Sequence, residues 1–312
     1  MRNSKIILTI ICLLLGGFLV GCGRIKPDNS KDFKPPLLKG ETKGESSSST
    51  LPISKLFIDP QVFQSTDRLQ PFNFKGKPVA GVINHHILAA DLVARFFKTL
   101  QAVRPDIETF IILSPDHFSQ GRGISTHELT YFTPAGEVVV NESWVSELKK
   151  EGAWDGTESR AFENEHGVGA LAPFISREFS KAKILPIFLR ADLTPDKAQE
   201  LGKALAKLAD DKTFVIVSSD MSHYLKEIDA RQHDAETIKW LQQNQWGKLS
   251  AATDQNTDSA VGLTVLHAYL QHKAPLIKGG SKGEFSLLSH KLSTDYVADI
   301  KNTTSYIVGF WE

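Results

Sequence analysis

Cysteine is almost missing from this chain. Two occur in 312 residues, Cys12 and Cys22, and both lie near the N-terminus. The rest of the sequence therefore has no means of forming an internal disulfide or a thiolate-ligated zinc site. Net charge is missing as well: 36 basic residues balance 36 acidic ones. That balance removes the electrostatic reason to expect nucleic acid as a partner. There is no internal repeat, and no apolar run reaches the roughly 20 residues of a comfortable membrane span. With 41% hydrophobic and 23% charged residues, what is left is ordinary globular material.

The N-terminus reads as a targeting segment. Arg2 and Lys5 form a short basic region, Ile6 to Leu19 is apolar, and Leu19-Val20-Gly21-Cys22 follows. This resembles a bacterial lipobox, in which Cys22 is lipidated and becomes the first residue of the mature protein; an ordinary signal peptide or a signal anchor is the alternative. Residues 1–22 are thus expected to be a lipoprotein signal peptide. Residues 23–50 carry Pro27, Pro35, Pro36, Gly40, Gly44 and the run Ser46 to Ser49, with little to pack. They are expected to be a disordered tether holding a folded body, residues 51–312, at a membrane and outside the cytoplasm.

Within that body, three apolar runs share one ending. Lys77 to Ile83 ends in Asn84-His85-His86, Thr109 to Leu113 ends in Ser114-Pro115-Asp116-His117, and Phe214 to Val217 ends in Ser218-Ser219-Asp220-Met221-Ser222-His223. Short apolar runs without polar alternation are expected of central parallel strands covered on both faces. Amphipathic helical spacing lies between them, at Leu88 to Leu100 and at Ala198 to Leu208, where Thr194-Pro195 supplies an N-cap and a first turn. Repeated βα units imply one α/β/α domain with a mostly parallel sheet and right-handed crossovers. Further elements are expected: a hairpin around Tyr131 to Gly136, a short helix at Glu142 to Lys150, and a helix bent or restarted at Pro173. A strand at Lys183 to Leu189 should lie at an edge or bulge because of Pro186. Helices at Ala230 to Trp246 and Ser259 to His272, a loop marked by Gly279, Gly280 and Gly283, and two closing strands complete the body.

Ligands in such sheets bind outside the carboxyl ends of the strands. The shared ending therefore puts His85, His117 and His223 where a site should be, with His86 competing with His85 for the same role. Neutral imidazole is a common metal ligand and the natural acid/base near neutral pH. Asp116 and Asp220 either orient these rings or only cap turns.

The motifs resemble the Memo family, whose prokaryotic members are called AmmeMemoRadiSam system protein B. Val82 to His85, Leu113 to Phe118, Tyr131 to Gly136, Glu165-His166 with Pro173-Phe174, and Ser218 to Tyr224 carry the likeness in one consistent order. It spans roughly Gly81 to Trp311. The resemblance implies a fold similar to class III extradiol dioxygenases, the LigB-like group, which hold non-haem Fe(II) with two histidines and a carboxylate. It also implies His85 and His117 as metal ligands, His223 as the acid/base, His166 lining the pocket, and radical-SAM and AMME-domain proteins as partners. Memo proteins place a cysteine where the carboxylate would be and bind iron or copper.

This sequence departs from that pattern. Where the family cysteine should fall, it has Asp258-Ser259-Ala260-Val261-Gly262. Either Asp258 restores a carboxylate, giving the two-histidine, one-carboxylate set of Fe(II) oxygenases, or it is the N-cap of the following helix. Asn84 also stands where the family prefers proline. The functional expectation is a membrane-tethered, metal-dependent oxidoreductase, with Fe(II) as the metal and Cu or Zn as alternatives. The competing readings are a non-catalytic binding protein without metal and a hydrolase using zinc-bound water.

Overall fold

Four parallel strands form the centre of the molecule, and each ends in a residue run that turns toward one edge. In this computed structural model the described residues are 59–152, 154, 162, 164–273, 283–298 and 301–312. Residues 1–22 and 23–50, expected above to be a signal peptide ending at Cys22 and a tether, lie outside them, as do Gly279 and Gly280. Among the described residues no helix is long and apolar enough to cross a membrane.

The main sheet holds β1 (Ala80–Ile83), β2 (Thr109–Pro115), β3 (Ile124–Ser125), β6 (Lys183–Leu189), β7 (Thr213–Ser218), β8 (Phe285–Leu292) and β9 (Ser305–Trp311). Their order is β3-β6-β2-β7-β1-β9-β8. β6, β2, β7 and β1 pair in parallel, while β3, β9 and β8 are antiparallel to their neighbours. The sheet is thus mostly parallel at its centre and antiparallel toward its margins. A separate hairpin joins β4 (Tyr131–Thr133) to β5 (Gly136–Val138), as the Pro134-Ala135-Gly136 turn requires. Pro186 is tolerated in β6 because the outer side of that strand is paired only at Ile184, through a bridge to Val140, and at its Phe188-Leu189 end.

The helices are α1 (Pro60–Ser65), α2 (Ala90–Val103), α3 (Glu142–Lys150), α4 (His166–Gly169), α5 (Ala172–Glu178), α6 (Pro195–Leu208), α7 (Glu227–Gln242), α8 (Trp246–Ser250) and α9 (Ala260–Lys273). α1 falls in a stretch whose sequence shows no helical pattern. It is short, capped by Asp59 accepting from the Gln61 N–H, and opened by Pro60. Pro173 does restart a helix: α4 stops at Gly169, and α5 begins one residue before the proline, where no N–H is needed.

Side-chain alternation along the strands separates the two faces. Phe110 and Phe214 meet Phe97 and Phe96 of α2, and Phe110 also meets Phe179 just past α5. Leu113 and Val217 have the opposite parity and lie under Gly262 of α9. Helices therefore cover both faces, and the central strands are buried except at Pro115 and Lys183. α9 in turn crosses α6 closely at Gly202, where any Cβ would run into the Val265 carbonyl. Asp258 lies just before the start of α9.

Candidate metal centre

Every functional side chain expected from the strand endings arrives at the carboxyl edge of β1, β2 and β7. His85 follows β1, His117 follows β2, His223 follows β7, and Asp258 precedes α9. The Asp258 Oδ2 lies 3.3 Å from His85 Nε2, 3.6 Å from His117 Nε2 and 3.7 Å from His223 Nε2. That oxygen is buried and has no hydrogen-bond partner. A buried carboxylate oxygen left bare costs free energy, so a group that three imidazole nitrogens share with it is the natural occupant of the space between them.

The helix-cap reading of Asp258 does not hold. Its Oδ1 accepts from Ser219 Oγ at 3.0 Å, and the N–H of Ser259 is taken by Thr257 Oγ1 at 3.1 Å. Thr257 supplies the turn, and the carboxylate is turned toward the histidines.

Hydrogen bonds behind the rings set their tautomers. Ser218 Oγ donates to the Gly167 carbonyl at 2.6 Å, so toward His85 Nδ1, 3.0 Å away, it accepts. Nδ1 of His85 therefore carries a proton, and in the neutral ring the Nε2 lone pair faces the site. His117 Nδ1 lies 2.7 Å from Glu165 Oε1, which can only accept, so in the neutral ring it is Nε2 that carries the lone pair. A metal-ligating histidine that donates its other N–H to a carboxylate is the usual outer support of such a centre.

Glu165 does more than orient a ring. It accepts the backbone N–H of His117 at 2.9 Å and that of Gly167 at 3.0 Å. Sequence reasoning saw it as part of a motif and missed this role, assigning possible ring-orienting roles to Asp116 and Asp220 instead. Asp116 caps its own turn by accepting from the Gln120 and Gly121 N–H groups. Asp220 accepts the N–H groups of His85 and His86 at 3.2 and 3.3 Å and so pins the chain after β1. Its carboxylate also lies 3.9 Å from His85 Nε2. His86 turns away, placing Nδ1 2.7 Å from Tyr306 Oη, which leaves His85 as the residue facing the site.

His166 joins the group from the mouth. One donor atom each from His85, His117 and His166 lies within 4.8 Å of the others. Its ring sits 4.1 Å from that of His117, tilted by 30°, and its side chain is 38% exposed against 1% for His85. The site thus runs from a dry floor at His85 to an open lip at His166.

The charge balance follows from this geometry. Burial alone would lower His117, but the carboxylates of Asp258 and Glu165 override it and raise its pKa to about 10. Burial likewise opposes protonation of His85, and Asp220 and Asp258 raise it nonetheless. Burial tends to raise Asp258; His85, His117 and His223 hold it well below the usual carboxylate range. His166 is pushed down to about 2, by burial first and then by His85 and His117. A metal cation would take the place of the protons that otherwise balance Asp258 and Glu165.

Comparison with known proteins gives the chain its family. Residues 76–310 match the family model described as Memo-like protein. A MEMO1 family protein of Nitrosopumilus maritimus is 27% identical over 238 residues, which is 74% of this chain and 82% of that protein. One from Methanocaldococcus jannaschii is 29% identical over 236 residues, 73% of this chain and 80% of that protein. Cys22 lies outside both the matched and the described residues.

Proposed function

The chain belongs to the Memo family, and from that premise we propose that it is a metal-dependent oxidoreductase whose ion is held by His85, His117 and Asp258. The observation that carries this reading is the bare, buried Oδ2 of Asp258 facing three Nε2 atoms at 3.3 to 3.7 Å. Two imidazoles and one carboxylate suit Fe(II), with Mn(II) and Zn(II) behind it, and the missing thiolate removes the preference for soft Cu(I). When bound, Fe(II) in such a set supplies open coordination positions and one-electron chemistry.

The chain's own residues do the rest. Glu165 and Ser218 hold His117 and His85 in the tautomer that offers Nε2. Ser219 holds Asp258 by its other oxygen. His223 is the proton carrier: its Nε2 points at the Asp258 oxygen, and its Nδ1 is buried without a partner, so neither nitrogen is committed to the scaffold. His166, kept neutral at the lip, lines the way in. The same proposal places the body on an extracytoplasmic membrane face through lipid on Cys22, with radical-SAM and AMME-domain proteins as family partners.

The test is nitric oxide added to the Fe(II)-loaded protein without oxygen. A high-spin iron–nitrosyl EPR signal supports an ion with an open position. Iron that binds and gives no such signal, or protein that takes up only zinc, removes the oxidoreductase reading in favour of a closed or hydrolytic site.

A further inference from the structure

We propose that Asp234, which lies outside the histidine cluster, is the residue that positions His223 against Asp258, acting through Ser222. The inference rests on the reading of His223 as proton carrier given above, and its test is made without metal.

His223 poses a problem of placement. Its Nδ1 is buried without a hydrogen-bond partner, and its Nε2 stands 3.7 Å from Asp258 Oδ2, beyond hydrogen-bonding range. Unlike His85 and His117, the ring has no group behind it to hold it. Its place is therefore set by the chain that carries it. That chain is strained. Tyr224, the next residue, has a φ of 54°, in the left-handed region, although it is 68% exposed. A non-glycine residue stays in such a conformation only where its surroundings over-determine it.

Those surroundings converge on one carboxylate. Asp234 lies on α7 and is fully buried. Ser222, the residue before His223, donates from Oγ to Asp234 Oδ1 at 2.8 Å. Ser305, at the start of β9, donates from Oγ to the same oxygen at 2.6 Å. His290 of β8 places Nε2 2.7 Å from the other oxygen, Oδ2. The two serines also meet through their backbones. The Ser305 N–H donates to the Ser222 carbonyl at 3.0 Å, and the Met221 N–H donates to the Ser305 carbonyl at 2.9 Å. Beyond His223, Leu225 and Thr303 exchange N–H···O bonds of 3.2 and 2.7 Å. His223 is thus the middle of a short strip zipped onto the entry of β9, and Asp234 rivets the two strips together.

Fold stability alone does not call for a charge here. Asp234 shares the buried stripe of α7 with Ala230, Thr237 and Leu241. Well-packed apolar side chains often match or exceed a buried charge pair in stability, so an apolar residue would serve that row as well. Capping does not explain the carboxylate either, because Asp234 lies in mid-helix. What it adds is direction. Its two oxygens bind side chains from three separate elements, so the strip that bears His223 has one place to lie.

The test reads the His223 ring by carbon–proton correlation NMR of the metal-free protein carrying isotope-labelled histidine. The cross-peak lost in His223→Ala is assigned to His223. At one fixed pH, Ser222→Ala, which cuts only the arm to His223, should shift that peak toward its position in the urea-unfolded chain. Asp234→Ala should do the same. Asp234→Asn keeps an oxygen for both serines and should leave the peak near its wild-type position. Circular dichroism checks the fold, and if Asp234→Ala does not fold, Ser222→Ala decides. A peak unmoved in Ser222→Ala, or unmoved in a folded Asp234→Ala, marks the carboxylate as structural and overturns the proposal. So does a peak displaced as far in Asp234→Asn as in Asp234→Ala. The nitrosyl test of the metal reading is independent of this one. A protein that takes up no iron and yet gives the expected NMR result keeps Asp234 as the positioning residue and loses the function that the position serves.

Discussion

Oδ2 of Asp258 and Nε2 of His85 lie 3.3 Å apart, both buried, and the oxygen makes no hydrogen bond. Two groups held this close without a bond of their own are preorganised for a third. Asp258→Ala should therefore weaken iron binding by about tenfold or more, or roughly 1.4 kcal/mol. Asp258→Cys puts a thiolate in the same place and should shift preference from Fe(II) toward Cu(I). Competition titrations of both variants with the two ions check this.

Glu165 should matter nearly as much as a ligand. It fixes the His117 ring and the His117 backbone at once. Glu165→Gln keeps the shape and removes the charge, so metal affinity should fall about 10- to 100-fold with little change in the circular dichroism spectrum. An affinity equal to wild type would show that the ring is held by its neighbours instead.

The metal-free protein should have a bell-shaped stability profile. His117 is raised to about 10 in the folded state, so the stability it contributes is full below its unfolded value of about 6.5 and is lost as pH rises through about 10. His166 is lowered to about 2, so its contribution runs the other way and is lost as pH falls below about 6.5. Thermal melting between pH 5 and 10 should peak at about pH 6.5, where the two contributions cross. Glu165→Gln should flatten the alkaline limb, and metal uptake at pH 7 should release protons to the buffer.

Much of this architecture is legible in the sequence because buried parallel strands announce themselves. Uninterrupted apolar runs such as Phe110 to Leu113 leave few alternatives, and a histidine after three of them marks one edge of the sheet. What the sequence hides is set by contacts between distant residues. Ring orientation depends on Glu165, 48 positions from His117, and on Ser218, 133 positions from His85. Local reasoning reached for the adjacent Asp116 instead. Whether Asp258 caps a helix or faces the histidines was undecidable from spacing, because Thr257 beside it can cap equally well. α1 escaped notice because so short a helix shows no period.

The aromatic layer under α2 should carry a large share of the stability. Phe96 touches Phe97, Phe214 and Phe310 and has no exposed surface. Phe96→Ala should cost about 3–5 kcal/mol, read from urea unfolding of the metal-free protein.

The most direct test of the centre is anaerobic Fe(II) titration of the wild type beside His117→Ala, Asp258→Ala, His166→Ala and His223→Ala. The expected result is near-stoichiometric binding in the wild type, loss in His117→Ala, marked weakening in Asp258→Ala, and retention in His166→Ala and His223→Ala. A wild type that takes up no iron, or a site lost in His166→Ala and unaffected in Asp258→Ala, would contradict the assignment of His85, His117 and Asp258 as the residues that hold the metal.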